Sequence, residues 1–390
     1  VDAILGTGVR GALREPIRTA VEYINSSRGL KVAVDVPTGL NPDTGEIHGT
    51  AVEADVTVTF HKPKPGLLKE ESKKYVGELV VANISILPEA EILVGPGDVK
   101  VLVRPRPPWS KKGDFGRVLV IGGSESFSGA PALSALAALR TGADLAIVAA
   151  PSSVASSIRS ISPNLIVMGL EGGHLKPEHV DRLLEMCERA TCVVLGPGLG
   201  LHEETMEAVR EFLSRVEERT KIVMDADSLK AVAGRLELVS GKRVVLTPHA
   251  GEFRIMTGVS LTTDVRERME VVREIAAKYG VVFLVKGHYD VISDGKIARV
   301  NATGNPAMTA GGTGDVLTGI LAAFASWTDD LMDAACAAAF VNGLAGDMAS
   351  EELGNHITAF DLLDYIPRVF RKLGIEARPS RSYELLKRRE

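Results

Sequence analysis

Short apolar runs, each closed by glycine, proline or a carboxylate, recur along the chain, and their spacing separates two blocks. In the first, residues 1–5, 31–36, 56–60 and 79–84 are predicted strands, with 16–26 the helix between the first two. Residues 88–116 are proline-rich and include Lys111-Lys112-Gly113, a linker composition with one further strand predicted at 99–103.

The second block alternates strands and helices. Strands are predicted at 118–121, 145–149, 166–168, 193–195, 222–224, 244–246 and 282–285, with helices at 130–141, 203–217 and 265–279. The strands are continuous apolar runs, as required when both faces are covered, and this predicts a parallel, doubly wound α/β sheet. Residues 290–293 and 298–300 read as an antiparallel pair around Asp294-Gly295, before three closing helices at 313–327, 330–350 and 358–373. The expected domains are 1–100 and 101–375, followed by a charged tail at 376–390.

A chain of 390 residues with 45% hydrophobic and 24% charged positions has the material for two buried cores. Its net charge of −5 argues against a general nucleic-acid binder. Cys187, Cys192 and Cys336 show no CxxC spacing, so they are expected to be small core residues of a reducing, cytoplasmic compartment. No uninterrupted apolar run approaches the about 18 residues of a membrane span, and no leader is read. Val1 lies inside a strand-like run, so an absent N-terminal segment is expected.

Ligands of open α/β sheets bind at the carboxyl ends of strands. Here those ends carry Gly122-Gly123-Ser124, Gly196-Pro197-Gly198-Leu199-Gly200, Asp225-Ala226-Asp227, Thr247-Pro248-His249 and Lys286-Gly287. One glycine turn after a strand is usually only a turn; the recurrence at successive exits is informative. The sharpest element is Ala310-Gly311-Gly312-Thr313-Gly314-Asp315. Small residues let backbone N–H groups reach a phosphate, and a helix start adds the positive end of its dipole. An aspartate in a first turn can simply complement that dipole; the glycines directly before Asp315 favour an anion hole. His249 alone reads as a structural histidine after Pro248, and Lys286 reads equally as a solvated strand end.

The order of these motifs resembles the ribokinase-like superfamily and, more closely, NAD(P)H-hydrate dehydratase. The resemblance spans about residues 110 to 373 and includes Gly129-Ala130, Gly251-Glu252 and Gly304-Asn305. It implies that Ala130, Gly198, His249 and Asp315 contact the hydrated cofactor. It also implies that Lys286, Gly287, His288, Tyr289, Asp290, Asn305, Gly311, Gly312, Thr313 and Gly314 bind ADP or ATP. ADP is the favoured donor, and Mg2+ accompanies the nucleotide. Phosphorylation of the C6 hydroxyl of the S-form of hydrated NADH or NADPH turns a poor leaving group into a good one. Asp315 takes the hydroxyl proton, and loss of phosphate restores the double bond. At the ordinary aspartate pKa of about 3.9, Asp315 is expected to be ionised already.

The first block resembles part of the Rossmann-like NAD(P)H-hydrate epimerase domain of bifunctional repair enzymes, through Asp2-Ala3-Ile4-Leu5-Gly6-Thr7-Gly8 and Val34-Asp35-Val36-Pro37-Thr38-Gly39. By that resemblance Gly6, Thr7, Gly8, Val9, Arg10, Gly11, Ala12 and Asp35 contact the hydrate, while Asp2 and Thr38 hold K+. The family's earlier Asn-Asn-Gly-Gly-Asp-Gly loop is not found in this sequence, so no independent epimerase activity is expected. A homo-oligomer is implied by resemblance alone. The alternatives are a ribokinase-like small-molecule kinase that stops at phosphorylation and a non-catalytic cofactor-binding protein.

Overall fold

A computed structural model of the protein describes residues 1–8, 11–87 and 89–375. The expectations for Val9, Arg10 and the 376–390 tail lie outside the described residues. The chain divides into two compact units, Val1–Glu91 and Ile92–Glu390.

In the first unit three parallel strands, β1 (Val32–Val34), β2 (Val56–Phe60) and β3 (Glu78–Ala82), pair in that order. The helix Ile17–Ser26 buries Val21 against Ala33, Val52 and Ala54. The strand expected at 1–5 shrinks to a single bridge between Asp2 and Ala33. Its ladder stops there: the Ile4 N–H, next in line to donate to Val34 O, turns to Asp2 Oδ1 at 3.4 Å, and Val34 O accepts from Val36 N instead.

The second unit is a nine-stranded sheet made of β4 (Arg117–Ile121), β5 (Leu145–Pro151), β6 (Ile166–Leu170), β7 (Cys192–Leu195), β8 (Ile222–Met224), β9 (Val244–Leu246), β10 (Val282–Val285), β11 (Asp290–Ser293) and β12 (Ala298–Asn301). Its order is β12-β11-β10-β9-β8-β7-β4-β5-β6, parallel except for the β10-β11-β12 hairpins. Alternate residues of each central strand enter opposite cores. Val118 and Val120 face the helices Gly129–Thr141, Thr313–Ala325, Leu331–Leu353 and Ala359–Lys372; Leu119 and Ile121 face Val180–Cys187, Glu203–Arg215 and Val265–Tyr279. Cover on both faces explains the continuous apolar runs. β6 departs from that expectation: it is an edge strand, and Ile166 and Met168 are exposed. The three cysteines are buried, and burial pushes each thiol up to about 12.

The expected strand at 99–103 is instead the helix Pro96–Leu102. Pro96 opens it, Asp98 accepts from the Gly95 N–H at 2.7 Å, and Val99 and Leu102 bury one face at helical spacing. Helix-start chemistry outweighs the β-branched composition. This helix lies in the second compact unit, which begins at Ile92.

Sequential strands depart to opposite sides of β4, towards β5 and towards β7, so the carboxyl ends of β4 and β7 mark the topological switch point. Gly123 N donates to Pro197 O at 2.9 Å and Gly196 N to Ile121 O at 3.1 Å, joining the two glycine loops. Gly196 admits the neighbouring turn: a Cβ there would stand 1.9 Å from Asp225 O.

Candidate active site

The loops after β4, β7, β8, β9 and β10 and the start of the helix Thr313–Ala325 assemble one site. Gly312 caps that helix at φ +95°, a left-handed conformation suited to glycine, and a Cβ there would collide with Leu133 and Ala359 at 2.8 and 2.9 Å. Thr313 Oγ1 donates back to Met308 O at 2.9 Å, holding the preceding loop. The backbone of Asp315 is fixed by residues with no obvious local signature. Ser134 Oγ and Thr318 Oγ1 donate to Asp315 O at 2.9 and 2.8 Å, and Gly319 lets the Ser134 carbonyl approach to 2.1 Å from its Cβ position.

Lys286, at the end of β10, reaches across to Asp225 Oδ1 at the end of β8, 2.7 Å away. Asp225 is 2% exposed, so its carboxylate depends on this ammonium. Burial works against the charged lysine, yet the Asp225 carboxylate outweighs it and holds the Lys286 pKa above its ordinary value. Gly314 sits against the pair, with its Cβ position 3.3 Å from Lys286 Nζ and 3.6 Å from Asp225 Oδ2. Ala226, between the two aspartates, is held at φ +50°, a conformation costing about 1–3 kcal/mol for a non-glycine residue. Asp227 ties the next loop, its Oδ2 accepting from Gly200 N at 2.9 Å.

Asp315 is not the ordinary carboxylate the sequence suggested. Burial, then the nearby Asp225 carboxylate and more weakly Asp227, push its pKa to about 7, although Lys286 pulls the other way. A carboxyl group poised near neutrality suits proton transfer better than one ionised three units lower.

The sites expected for the hydrate fall on two sides. Gly198, at φ +67°, lies against Ala130: its Cβ position is 3.4 Å from Ala130 Cβ and 3.0 Å from Phe127 Cβ. Phe127, 54% exposed, joins this surface although sequence reasoning passed over it. Ser134 Oγ, which holds Asp315, also contacts Ala130 O at 3.3 Å, linking this side to the helix start. His249 lies beside Lys286 through a bridge between their strand ends. His249 has a structural role. Its Nδ1 accepts from Gly251 N and Glu252 N at 3.0 and 3.2 Å, capping the helix Ala250–Thr257, which assigns the ring proton to the outward Nε2.

A cavity of about 410 Å3 opens beside Gly314. Of the residues expected around a nucleotide, Lys286, Gly287, His288, Asp290, Asn305, Thr313 and Gly314 line it. Tyr289, Gly311 and Gly312 are not among its lining residues; Tyr289 instead packs edge-on against His288, with centroids 4.5 Å apart. Asn305 serves the loop itself: its amide donates to Asp347 at 2.8 Å and its oxygen accepts from Ala307 N at 3.0 Å. Asp347, which also accepts from Gly304 N at 3.0 Å, is a positioning residue hidden inside a long helix. Asp290 accepts from Gly287 N and Asn301 Nδ2, both at 3.0 Å, and burial raises its pKa.

In the first unit Asp2 and Thr38 are brought together and buried: Asp2 accepts from Thr38 N at 2.8 Å and from Thr38 Oγ1 at 2.7 Å. Asp35, at φ +66°, accepts from Phe60 N at 3.0 Å and pairs with Lys64. Burial opposes its charge, but Lys64 and the Phe60 N–H win and keep its pKa low. Gly6, Thr7, Gly8 and Ala12 are exposed, Gly11 is part-buried at φ +94°, and the Cβ positions of Gly6, Gly8 and Gly11 meet nothing within 4 Å.

With this geometry in place, residues 118–368 match the family model described as NAD(P)H-hydrate dehydratase, and residues 1–66 match that of the YjeF-related protein N-terminus. The bifunctional NAD(P)H-hydrate repair enzyme of Pyrobaculum aerophilum is 57% identical over 97% of this chain and 75% of its own length. That of Hyperthermus butylicus is 47% identical over 94% of this chain and 69% of its own. Among solved structures, the ADP/ATP-dependent NAD(P)H-hydrate dehydratase of Bacillus subtilis, co-crystallised with ATP and Mg2+, superposes with a TM-score of 0.62 at 28% identity, covering 72% of this chain and 98% of that one.

Proposed function

The chain belongs to the family of NAD(P)H-hydrate repair enzymes, and from that premise we propose that its second unit dehydrates the S-form of hydrated NADH or NADPH at the expense of ADP or ATP. The observation that carries this reading is Asp315, pushed to about 7, at a glycine-bounded helix start beside the Lys286–Asp225 pair.

Phe127, Ala130, Gly198 and the outward Nε2 of His249 present the hydrate to Asp315. The cavity bounded by Lys286–Asp290 and the Asn305–Gly314 loop takes the nucleotide. Asp315 removes the proton from the C6 hydroxyl as the hydroxyl oxygen bonds to the terminal phosphorus; the bond from that phosphorus to its bridging oxygen breaks, and AMP leaves from ADP, or ADP from ATP. The amides at Gly312–Gly314 and the dipole of the helix they open stabilise the transferring phosphoryl group. Lys286 balances Asp225 and adds positive charge to the same side. The electrons of the ring nitrogen then expel phosphate from C6, and loss of a proton from C5 restores the C5–C6 double bond.

Mg2+ fits as a companion of the nucleotide: Asp225 is already committed to Lys286, so the phosphates are its natural ligands. ADP is the favoured donor. In the first unit Asp2 and Thr38 offer buried oxygens suited to K+, and Asp35 with Gly6, Thr7, Gly8, Gly11 and Ala12 would face a hydrate. A homo-oligomer is part of the same proposal. No helix of the described residues is long and apolar enough to cross a membrane. Incubation with S-configured NADH hydrate, Mg2+ and ADP or ATP tests the reading: reduced nicotinamide and phosphate should appear together. Accumulation of a stable phosphorylated product would identify a kinase that stops halfway.

A further inference from the structure

Away from the reacting groups, His174 after β6 meets His202 and Glu204 at the start of the helix Glu203–Arg215. Their ligating atoms all lie within 4.8 Å of one another. We propose that His174, His202 and Glu204 form a binding site for a zinc-type divalent transition-metal ion, which would brace the loop after β7 against the loop after β6.

His174 Nε2 lies 2.9 Å from Glu204 Oε2, and His202 Nδ1 lies 3.7 Å from the same oxygen. Ligands held about 2.0–2.2 Å from a tetrahedral ion stand about 3.3–3.6 Å apart, between these two separations. The imidazoles are stacked, with centroids 3.8 Å apart and 21° between their planes. Capture therefore requires one ring to turn until its lone pair meets the ion. His202 can do so, its side chain being 52% exposed; His174, at 18%, is the fixed half.

The backbone around the cluster is already organised. Thr205 Oγ1, fully buried, donates to Leu175 O at 2.9 Å and locks the helix start to the His174 loop. His202 O accepts from Met206 N at 3.0 Å, and Gly200 N is held by Asp227. Two imidazoles and a carboxylate favour zinc-type ions over Mg2+, which prefers oxygen alone. Among neighbouring charges, Lys176 opposes a cation but is paired with Glu178 at 3.5 Å. Glu125, whose Oε2 lies 2.8 Å from the Cβ position of Gly173, offsets it. His179 lies beyond, with Nδ1 engaged by Lys176 N.

The loop after β7 also carries Gly198, so an ion here would stiffen one wall of the proposed hydrate site without touching the reacting atoms. The test uses the full chain, free of any histidine tag and dialysed against chelator, titrated with Co2+ by its d–d absorption and with Zn2+ by competition. One equivalent should bind per chain. His174→Ala and His202→Ala should each weaken binding by at least about ten-fold, the scale on which even outer partners of a metal site act. Zn2+ should raise the thermal midpoint of the parent protein and of neither variant, whose metal-free midpoints report that they fold. Absence of saturable binding, or parent-like affinity in either histidine variant, overturns the proposal. Because neither readout is turnover, the result is independent of the proposed reaction.

Discussion

Asp315 feels both its burial and two neighbouring carboxylates, and this makes its chemistry measurable. In the free enzyme kcat/KM should rise with pH and reach half its plateau near pH 7, because only the ionised carboxylate accepts the proton. A pH–rate profile that is flat from 5 to about 9 would show that Asp315 is not the base. Lys286 stabilises that ionised form, so Lys286→Met should move the limb to higher pH while weakening nucleotide use. The stability consequence has a definite sign. A carboxyl whose folded pKa lies above its unfolded one weakens the fold as it ionises. The loss is absent below about pH 4, grows with pH, and is complete above about 7. Asp315→Asn should therefore stabilise the fold at pH 8 by about 1–2 kcal/mol and have little effect at pH 4. The unscreened limit of about 4 kcal/mol is not reached, because the site opens to water. Equal thermal midpoints at pH 8 would contradict this. Asp315, Lys286 and His249 were legible in the sequence as strand and helix ends. The shift to about 7 was not, since it arises first from burial and then from Asp225 and Asp227, 88 or more positions away in the chain.

The helix Thr313–Ala325 is positioned by close contacts that periodicity does not show. Gly319 presses on the Ser134 carbonyl, and Ser134 and Thr318 hold the Asp315 carbonyl. Gly319→Val should cost about 1–3 kcal/mol through overpacking and lower turnover more than it alters nucleotide affinity. Gly97→Ala, where a Cβ meets open space, is the matching control. Equal turnover in the two would remove Gly319 from the account. The central strands could be read from the sequence because each is a short unbroken apolar run closed by turn residues, and the closing helices because their apolar stretches are too long for strands. Residues 99–103 misled because Val99, Val101 and Val103 suggest a strand, while Pro96 and Asp98 supply a helix start. Ser134 and Asp347 gave no signal: each sits mid-helix, and its meaning comes from a partner far along the chain.

At the scale of the molecule, residues 92–375 contain the nine-stranded sheet, both of its cores and every residue proposed for dehydration. A chain beginning at Ile92 is expected to fold and to dehydrate the S-hydrate at the parent rate. One beginning at Val99 would lose the Gly95–Asp98 helix start and should melt lower, with calorimetry of the two chains deciding. The doubly wound architecture was legible from strand composition; its switch point was not, because that depends on the order in which the strands pair. The edge position of β6 was less so, because three apolar residues look alike at an edge and in the centre. The central claim is that Asp315 acts as the base in a nucleotide-driven dehydration. Its most direct test follows reduced nicotinamide and phosphate together, from S-configured NADH hydrate, ADP and Mg2+, for the parent chain and Asp315→Asn. The parent should release both products stoichiometrically. In the variant turnover should fall by about 100- to 10,000-fold, with ADP still bound. Parent-like turnover by Asp315→Asn would contradict it.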